Sequence, residues 1–125
     1  MHENNHFIFF VLFTSVKINA QLSNTKWKGQ LNLENKMDVI FDFRTDTLLI
    51  NSIKDNSNIE TVKYSFQDNI LSLQKTSGLS NCDGTTIGKY KFDINKDTLS
   101  ISLLTDDCRD RYPVLDNTKW LRLNK

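Results

Sequence analysis

Three groups of side chains in this sequence have types that can do chemistry, and the spacing of each limits what that chemistry is. Cys82 and Cys108 are the only thiols. A redox dithiol or half of a zinc site needs its cysteines a few residues apart, and the wide gap here leaves a disulfide as the expected state. Asp93-x-Asn95-x-Asp97 has the oxygen spacing with which a calcium loop opens. However, Thr98 stands where the sharp turn needs glycine, and Leu104 where a bidentate glutamate is required. A hairpin turn is the better reading. The run Asp106-Asp107-Cys108-Arg109-Asp110-Arg111 could hold a cation or form a recognition patch. Its acids and bases are interleaved, which favours a self-satisfied network of ion pairs.

Histidine is the most informative absence. His2 and His6 are the only two in the chain, and both lie close to its beginning, in a segment expected to be removed. Without them, Ser–His and Cys–His nucleophile pairs and histidine zinc sites are lost. A glycosidase-type carboxylate pair would remain possible. Nearly every Asp, however, falls in or beside a polar turn, where carboxylates serve the backbone. The expectation is a non-enzyme with no catalytic residue, no cofactor and no metal site.

The opening residues differ from the rest. Phe7-Ile8-Phe9-Phe10-Val11-Leu12-Phe13 is an apolar block followed by more polar residues and then Ala20-Gln21, the shape of a secretory signal peptide cut after Ala20. Seven apolar residues are too few to span a bilayer, which takes about 20. Residues 1–20 are therefore expected to direct export, and residues 21–125 to form one domain in the periplasm or outside the cell. An oxidising compartment agrees with the paired cysteines. For a loop of about 27 residues the chain-entropy model puts the stabilisation at roughly 3–4 kcal/mol. The net charge of +1 stays the same once Glu3 and Lys17 are removed, and no basic run stands out. Nucleic acid is not an expected partner.

The elements that would position these groups are strands. From Thr25 onward apolar residues recur at every second position, the period of a strand with one buried face. Trp27, Gly29, Leu31 and Leu33 share a face of the first; Val39, Phe41 and Phe43 mark the second, and residues 48–53 the third. Val62, Tyr64 and Phe66 mark the fourth, Leu71 and Leu73 the fifth, and Gly88, Tyr90, Phe92 and Ile94 the sixth. Leu99, Ile101 and Leu103 mark the seventh, and residues 119–123 the eighth. Short polar groups such as Gln67-Asp68-Asn69 and Asn95-Lys96-Asp97 suit tight turns, so neighbouring strands pair antiparallel. Residues 41–50 and 92–101 match at six of ten positions, as repeated amphipathic hairpins would. Three stretches look irregular, residues 54–58, 76–85 and 109–118, the last holding the sole proline, Pro113, and a short helical turn. The fold class is all-β: eight strands in an antiparallel up-and-down barrel.

The pattern Cys82, Gly88-x-Tyr90-x-Phe92, Leu99, Asp107-Cys108-x-x-Arg111, Leu115 and Trp120-x-Arg122 resembles the small lipocalin-like, calycin-type β-barrel domains of exported bacterial proteins. The resemblance covers residues 81–122. It implies a barrel whose first and last strands are neighbours, where Trp27 and an arginine near the C-terminus meet. Arg122 is the candidate, its alternative being an exposed strand residue with Leu121 and Leu123 on the opposite face. Asn24-Thr25-Lys26-Trp27 recurs as Asn117-Thr118-Lys119-Trp120, on the sequence alone a coincidence.

The resemblance further implies a small apolar ligand, with Phe41, Tyr64, Tyr90 and Phe92 as the candidate ligand-binding residues of a barrel interior. An eight-stranded barrel has room for side chains or for one small ligand. The alternative is a protein-interaction or inhibitor module with a filled barrel, of the kind that inhibits lysozyme, working through residues 109–118. The partner is then a small apolar molecule or a protein, and the chain is expected to be a monomer.

Overall fold

The computed structural model describes residues 19–123. The strands are β1 Thr25–Leu31, β2 Met37–Phe43, β3 Thr47–Ser52, β4 Asn58–Gln67, β5 Ile70–Gly78, β6 Ile87–Asn95, β7 Thr98–Thr105 and β8 Thr118–Arg122. One helical turn, α1 Tyr112–Leu115, precedes β8. Every strand pairs antiparallel with the next, and β1 pairs with β8, so the sheet closes into an eight-stranded barrel. The all-β up-and-down barrel and the helical turn are as expected. Most of the expected signal peptide lies outside the described residues; only Asn19 and Ala20 fall within them. No helix among the described residues is long and apolar enough to cross a membrane.

The two-residue period explains the closure. Along β4, Glu60, Val62, Tyr64 and Phe66 are buried while Lys63, Ser65 and Gln67 are exposed, and β6 and β7 alternate in the same way. One face of each strand thus belongs to the core, and closing the sheet removes the open edges on which another chain could pair. At one end, the floor, sit the short connections β2–β3, β4–β5 and β6–β7. In the β4–β5 hairpin, Gln67 faces Ile70 across Asp68 and Asn69, both in the left-handed region at φ 55° and 63°. That conformation is tolerated best by Asn, Asp and Gly. Asn95 faces Thr98 in the β6–β7 hairpin, so Asp93-x-Asn95-x-Asp97 belongs to a turn.

Aromatic side chains fill the floor half. Phe41 stacks on Trp120 with ring centroids 3.8 Å apart, while Phe43 meets Tyr64 edge-on at 5.0 Å and Phe92 at 6.3 Å. Each fully buried side chain of this size contributes roughly 1.5–3 kcal/mol. Leu22, fully buried, closes the floor from below.

At the other end, the mouth, run the longer connections. Cys82 in the β5–β6 loop is bonded to Cys108 in the β7–β8 connection, with Cα atoms 5.4 Å apart, so the expected disulfide staples two mouth loops. Register shifts between Ile50 and Asn51, Thr61 and Val62, and Lys89 and Tyr90 all lie in the mouth half. Bulges of this kind bend strands and increase their twist.

Candidate functional site

A cavity of about 450 Å³ occupies the mouth. Its inner wall comes from the inward phase of the strands: Leu31, Ile50, Val62 and Leu73. Its outer wall comes from the loops and from α1: Leu33, Leu79, Pro113, Val114 and Leu115, with Met37 and Ile59 between. The position follows from side-chain size. The inward residues of β4 run Phe66, Tyr64, Val62, Glu60 from floor to mouth, and those of β2 run Phe43, Phe41, Val39, with half-buried Met37 beyond. Rings fill the floor half; aliphatic side chains leave space in the mouth half.

The outer wall is held in place by specific bonds. α1 starts after Cys108, whose carbonyl accepts from the Arg111 and Tyr112 amides at 3.1 and 3.2 Å, so the disulfide fixes where the turn begins. Pro113 occupies the first turn, where a missing N–H costs nothing. Asn32 ties the β1–β2 loop to the far side of α1, its amide donating to the Val114 carbonyl at 3.0 Å and its side chain to the Asp116 carbonyl at 3.2 Å. Asp116 in turn accepts from the Leu103 amide at 2.8 Å.

Two charged residues line the cavity deeply. Glu60, 8% exposed, accepts from the Ser80 amide at 3.2 Å and from the Ser80 hydroxyl. Gly78, at φ 137°, makes this possible, since a Cβ there would collide with the Glu60 side chain. Arg111, 6% exposed, forks onto Asp106 through Nε at 2.6 Å and Nη2 at 3.0 Å, and Nη2 also donates to the Thr86 carbonyl at 3.0 Å. The Tyr90 hydroxyl donates to Asp106 at 2.5 Å and the Cys108 amide at 2.9 Å. Gly88 faces this group; any Cβ there would overlap the Asp106 carboxylate.

Burial tends to raise the Asp106 pKa, but the hydrogen bonds from Arg111, Tyr90 and the Cys108 amide outweigh it and hold the carboxyl below the usual range. The Tyr90 hydroxyl is pushed well above its ordinary value, first by burial and then by its bond to Asp106. The favoured reading of residues 106–111 as an ion-pair network is met in its buried part, through Asp106 rather than the exposed Asp107.

Comparison with protein-family models, with curated proteins and with solved structures finds no match for this chain.

Phe41, Tyr64, Tyr90 and Phe92 all point inward and are buried, but none of them lines the cavity. Phe41 lies against Trp120, and Phe92 lies between Phe43 and Phe66. The Tyr64 hydroxyl donates to the Arg44 carbonyl at 2.5 Å at the floor, and Tyr90 belongs to the Asp106 network. The width of an eight-stranded barrel decides this, because rings on facing strands meet one another and leave no room between them. The strand period marks the aromatic and the aliphatic inward residues alike and does not set the cavity residues apart. The fall in side-chain size along β2 and β4 is the signal that points to them. Among the described residues no group of His, Cys, Asp and Glu is arranged to hold a metal ion.

Arg122 stands opposite Trp27 in the β1–β8 register, with its guanidinium carbon 5.9 Å from the indole centroid. Of the two positions left open for it, this is the meeting with Trp27. Leu121 and Leu123 instead face outward and are exposed.

Proposed function

We propose that this chain is an exported, non-enzymatic binding module that takes a small apolar ligand into the mouth of its barrel. The observation that carries the reading is the cavity of about 450 Å³, bounded by aliphatic side chains of four strands and of α1. Ligand sites are usually concave and mostly apolar, with a few polar groups that set orientation, and a volume of roughly 300–1,000 Å³ is usual. Here the volume exists without any movement of the packed aromatic core. The disulfide supports export, since such bonds persist in oxidising compartments.

Titration with a neutral environment-sensitive dye such as Nile red tests this. Saturable binding to the wild-type domain is expected, lost in Ile59→Trp, which places a ring in the half-buried side of the cavity. Absence of saturable binding to the wild type overturns the reading. Leu79, 80% exposed at the rim, favours a second reading in which the mouth meets a protein. A wild type that binds no dye, yet gains a defined partner lost in Leu79→Asp, would put that reading in its place.

A further inference from the structure

We propose that the outer wall over β7, β8 and β1 is a docking surface for an anionic lipid bilayer: Lys28 and Lys119 meet lipid phosphates, and Leu121 and Leu123 enter the interface beside them. The inference is independent of any ligand in the mouth. Charge is distributed unevenly around the barrel. The outward positions of β6, β7, β8 and β1 carry Lys26, Lys28, Lys89, Lys91 and Lys119 against a single acid, Asp93. Those of β2 to β5 carry Asp38, Asp42 and Lys63. Asp93 is engaged by Lys91 at 4.0 Å, and Lys26 stands opposite Asp42 in the β1–β2 register. Lys28 instead faces Ile40 and Leu121, and Lys119 faces Ser100. Neither of these two lysines forms an ion pair among the described residues. Because Lys28 pairs with Leu121, it lies diagonal to Lys119 across the β1–β8 seam. Long side chains reach each other at that spacing, so two like charges repel until an anion comes between them. A groove of about 380 Å³ opens there, bounded by both lysines, Leu121, Thr98 and Ser100.

Apolar exposure selects a bilayer over a soluble polyanion. Leu121 and Leu123 follow Lys119 on the outward phase of β8 and are 54% and 49% exposed. A polyanion in water would satisfy the lysines and leave both leucines in water. A bilayer interface takes the ammonium groups at its phosphates and the apolar side chains just beneath them. Shape agrees, since a barrel meets a plane along one strand. Here that strand is β8, and Thr98 and Ser100 on neighbouring β7 are too short to hold it off. In the four mouth connections, residues 32–36, 53–57, 79–86 and 106–117, acids outnumber bases. An anionic surface therefore repels the mouth and attracts the wall, which favours contact side-on.

Cosedimentation with vesicles tests the inference on the protein recovered after export. Vesicles of phosphatidylglycerol and phosphatidylcholine in equal parts should bind it, less so as salt rises, and vesicles of phosphatidylcholine alone should not. Replacing Lys28 and Lys119 together by alanine should lower the partition coefficient about thirtyfold, the product of two lysines at an anionic surface. Replacing Lys54 and Lys63 together removes the same charge from the opposite side of the barrel, and should change binding by less than about twofold. Leu121→Ser should weaken binding while leaving every charge in place. All five side chains are exposed, and unchanged urea midpoints verify that the variants are folded. Absence of binding to the anionic vesicles at low salt overturns the proposal. So does an equal loss in the two lysine pairs, which would make the attraction one of overall charge and not of this wall. Binding that Leu121→Ser leaves untouched overturns the bilayer as partner and points to a soluble polyanion in its place.

Discussion

Gly29 and Trp120 face each other across the β1–β8 seam, and the indole of Trp120 occupies the space that any side chain at position 29 would need. Closing the barrel therefore depends on an absent Cβ. Trp120 carries the contact inward to Phe41, whose ring it stacks on at 3.8 Å, so a displaced indole disturbs the core as well as the seam. Gly29→Ala is expected to destabilise the domain by about 1–3 kcal/mol, the usual cost of overpacking a fixed neighbour. Gly84→Ala, where a Cβ meets only the Lys75 carbonyl at an ordinary 3.7 Å, provides the comparison and should stay within about 0.5 kcal/mol of wild type. Urea midpoints at constant slope measure both.

Each of the two tryptophans is held by a threonine two residues before it. Trp27 Nε1 donates to Thr25 Oγ1 at 2.8 Å and Thr25 donates to the Leu22 carbonyl at 2.6 Å; Trp120, Thr118 and Leu115 repeat this at 2.8 and 2.7 Å. Asn24 and Asn117 open both units at φ 65° and 59°. Because β1 and β8 are antiparallel, one unit lies at the floor and the other at the mouth. Thr25→Val and Thr118→Val each leave a buried indole N–H without its acceptor, and each should cost about 1–3 kcal/mol. The two losses should add, since the sites lie at opposite ends of the barrel.

Strand alternation was legible because every inward position from Trp27 to Trp120 is apolar, glycine or a satisfied polar group. The disulfide was legible from the only two cysteines of the chain and from an opening segment read as a signal peptide. The four-residue run from Asn24 to Trp27 and its copy from Asn117 to Trp120 was visible as letters and read as coincidence, because its meaning depends on β8 returning beside β1 and on the Leu22 and Leu115 carbonyls that the two threonines reach. The phase of Arg122 was ambiguous for a local reason: Leu121 and Leu123 offer an apolar face of their own, and only the pairing with Trp27 settles which side turns in. The cavity was missed because strand period gives direction and not volume. Volume follows from how large the inward residues are at each level.

The Asp106 network makes stability fall in acid. With its folded pKa below the unfolded value of about 4, Asp106 contributes stability that is present above that value and lost as pH drops through the folded one. Tyr90 and Tyr64 act on the alkaline side. Burial raises both, Tyr64 to about 12, so their contribution is complete below about pH 10 and lost above it. Thermal melts across pH should show both limbs, the acid one flattened in Asp106→Asn and the alkaline one reduced in Tyr90→Phe.

Replacing Cys82 and Cys108 together by alanine should cost about 3 kcal/mol, because the bond closes a loop across a sequence separation of 26. The barrel strands themselves do not depend on the bond. The mouth loops do, so Nile red binding should weaken more than the far-UV circular dichroism changes.

The last prediction concerns Asn19, which lies just inside the segment expected to be removed. Its side-chain oxygen accepts from the Phe66 amide at 2.5 Å, its side-chain amide donates to the Thr45 and Tyr64 carbonyls at 3.2 and 3.3 Å, and its own N–H donates to the Phe66 carbonyl at 3.2 Å. Asn19 thus joins the β2–β3 and β4–β5 sides of the floor, directly beside the buried Leu22. Cleavage after Ala20 removes these bonds but keeps Leu22 and its contact through Thr25. Cleavage also removes the Asn19 carbonyl that accepts from the Leu22 and Ser23 amides at 3.1 and 2.9 Å, but the groups left behind are backbone at strand ends, where water can replace Asn19, and none is a buried charge. Residues 21–125 should therefore fold, with a stability about 2–4 kcal/mol below that of residues 19–125 by denaturant titration. Mass spectrometry of the exported protein should find Gln21 as its first residue. A mature chain that keeps Asn19, together with failure of 21–125 to fold, would show that the floor clasp belongs to the domain and that the export segment ends before it.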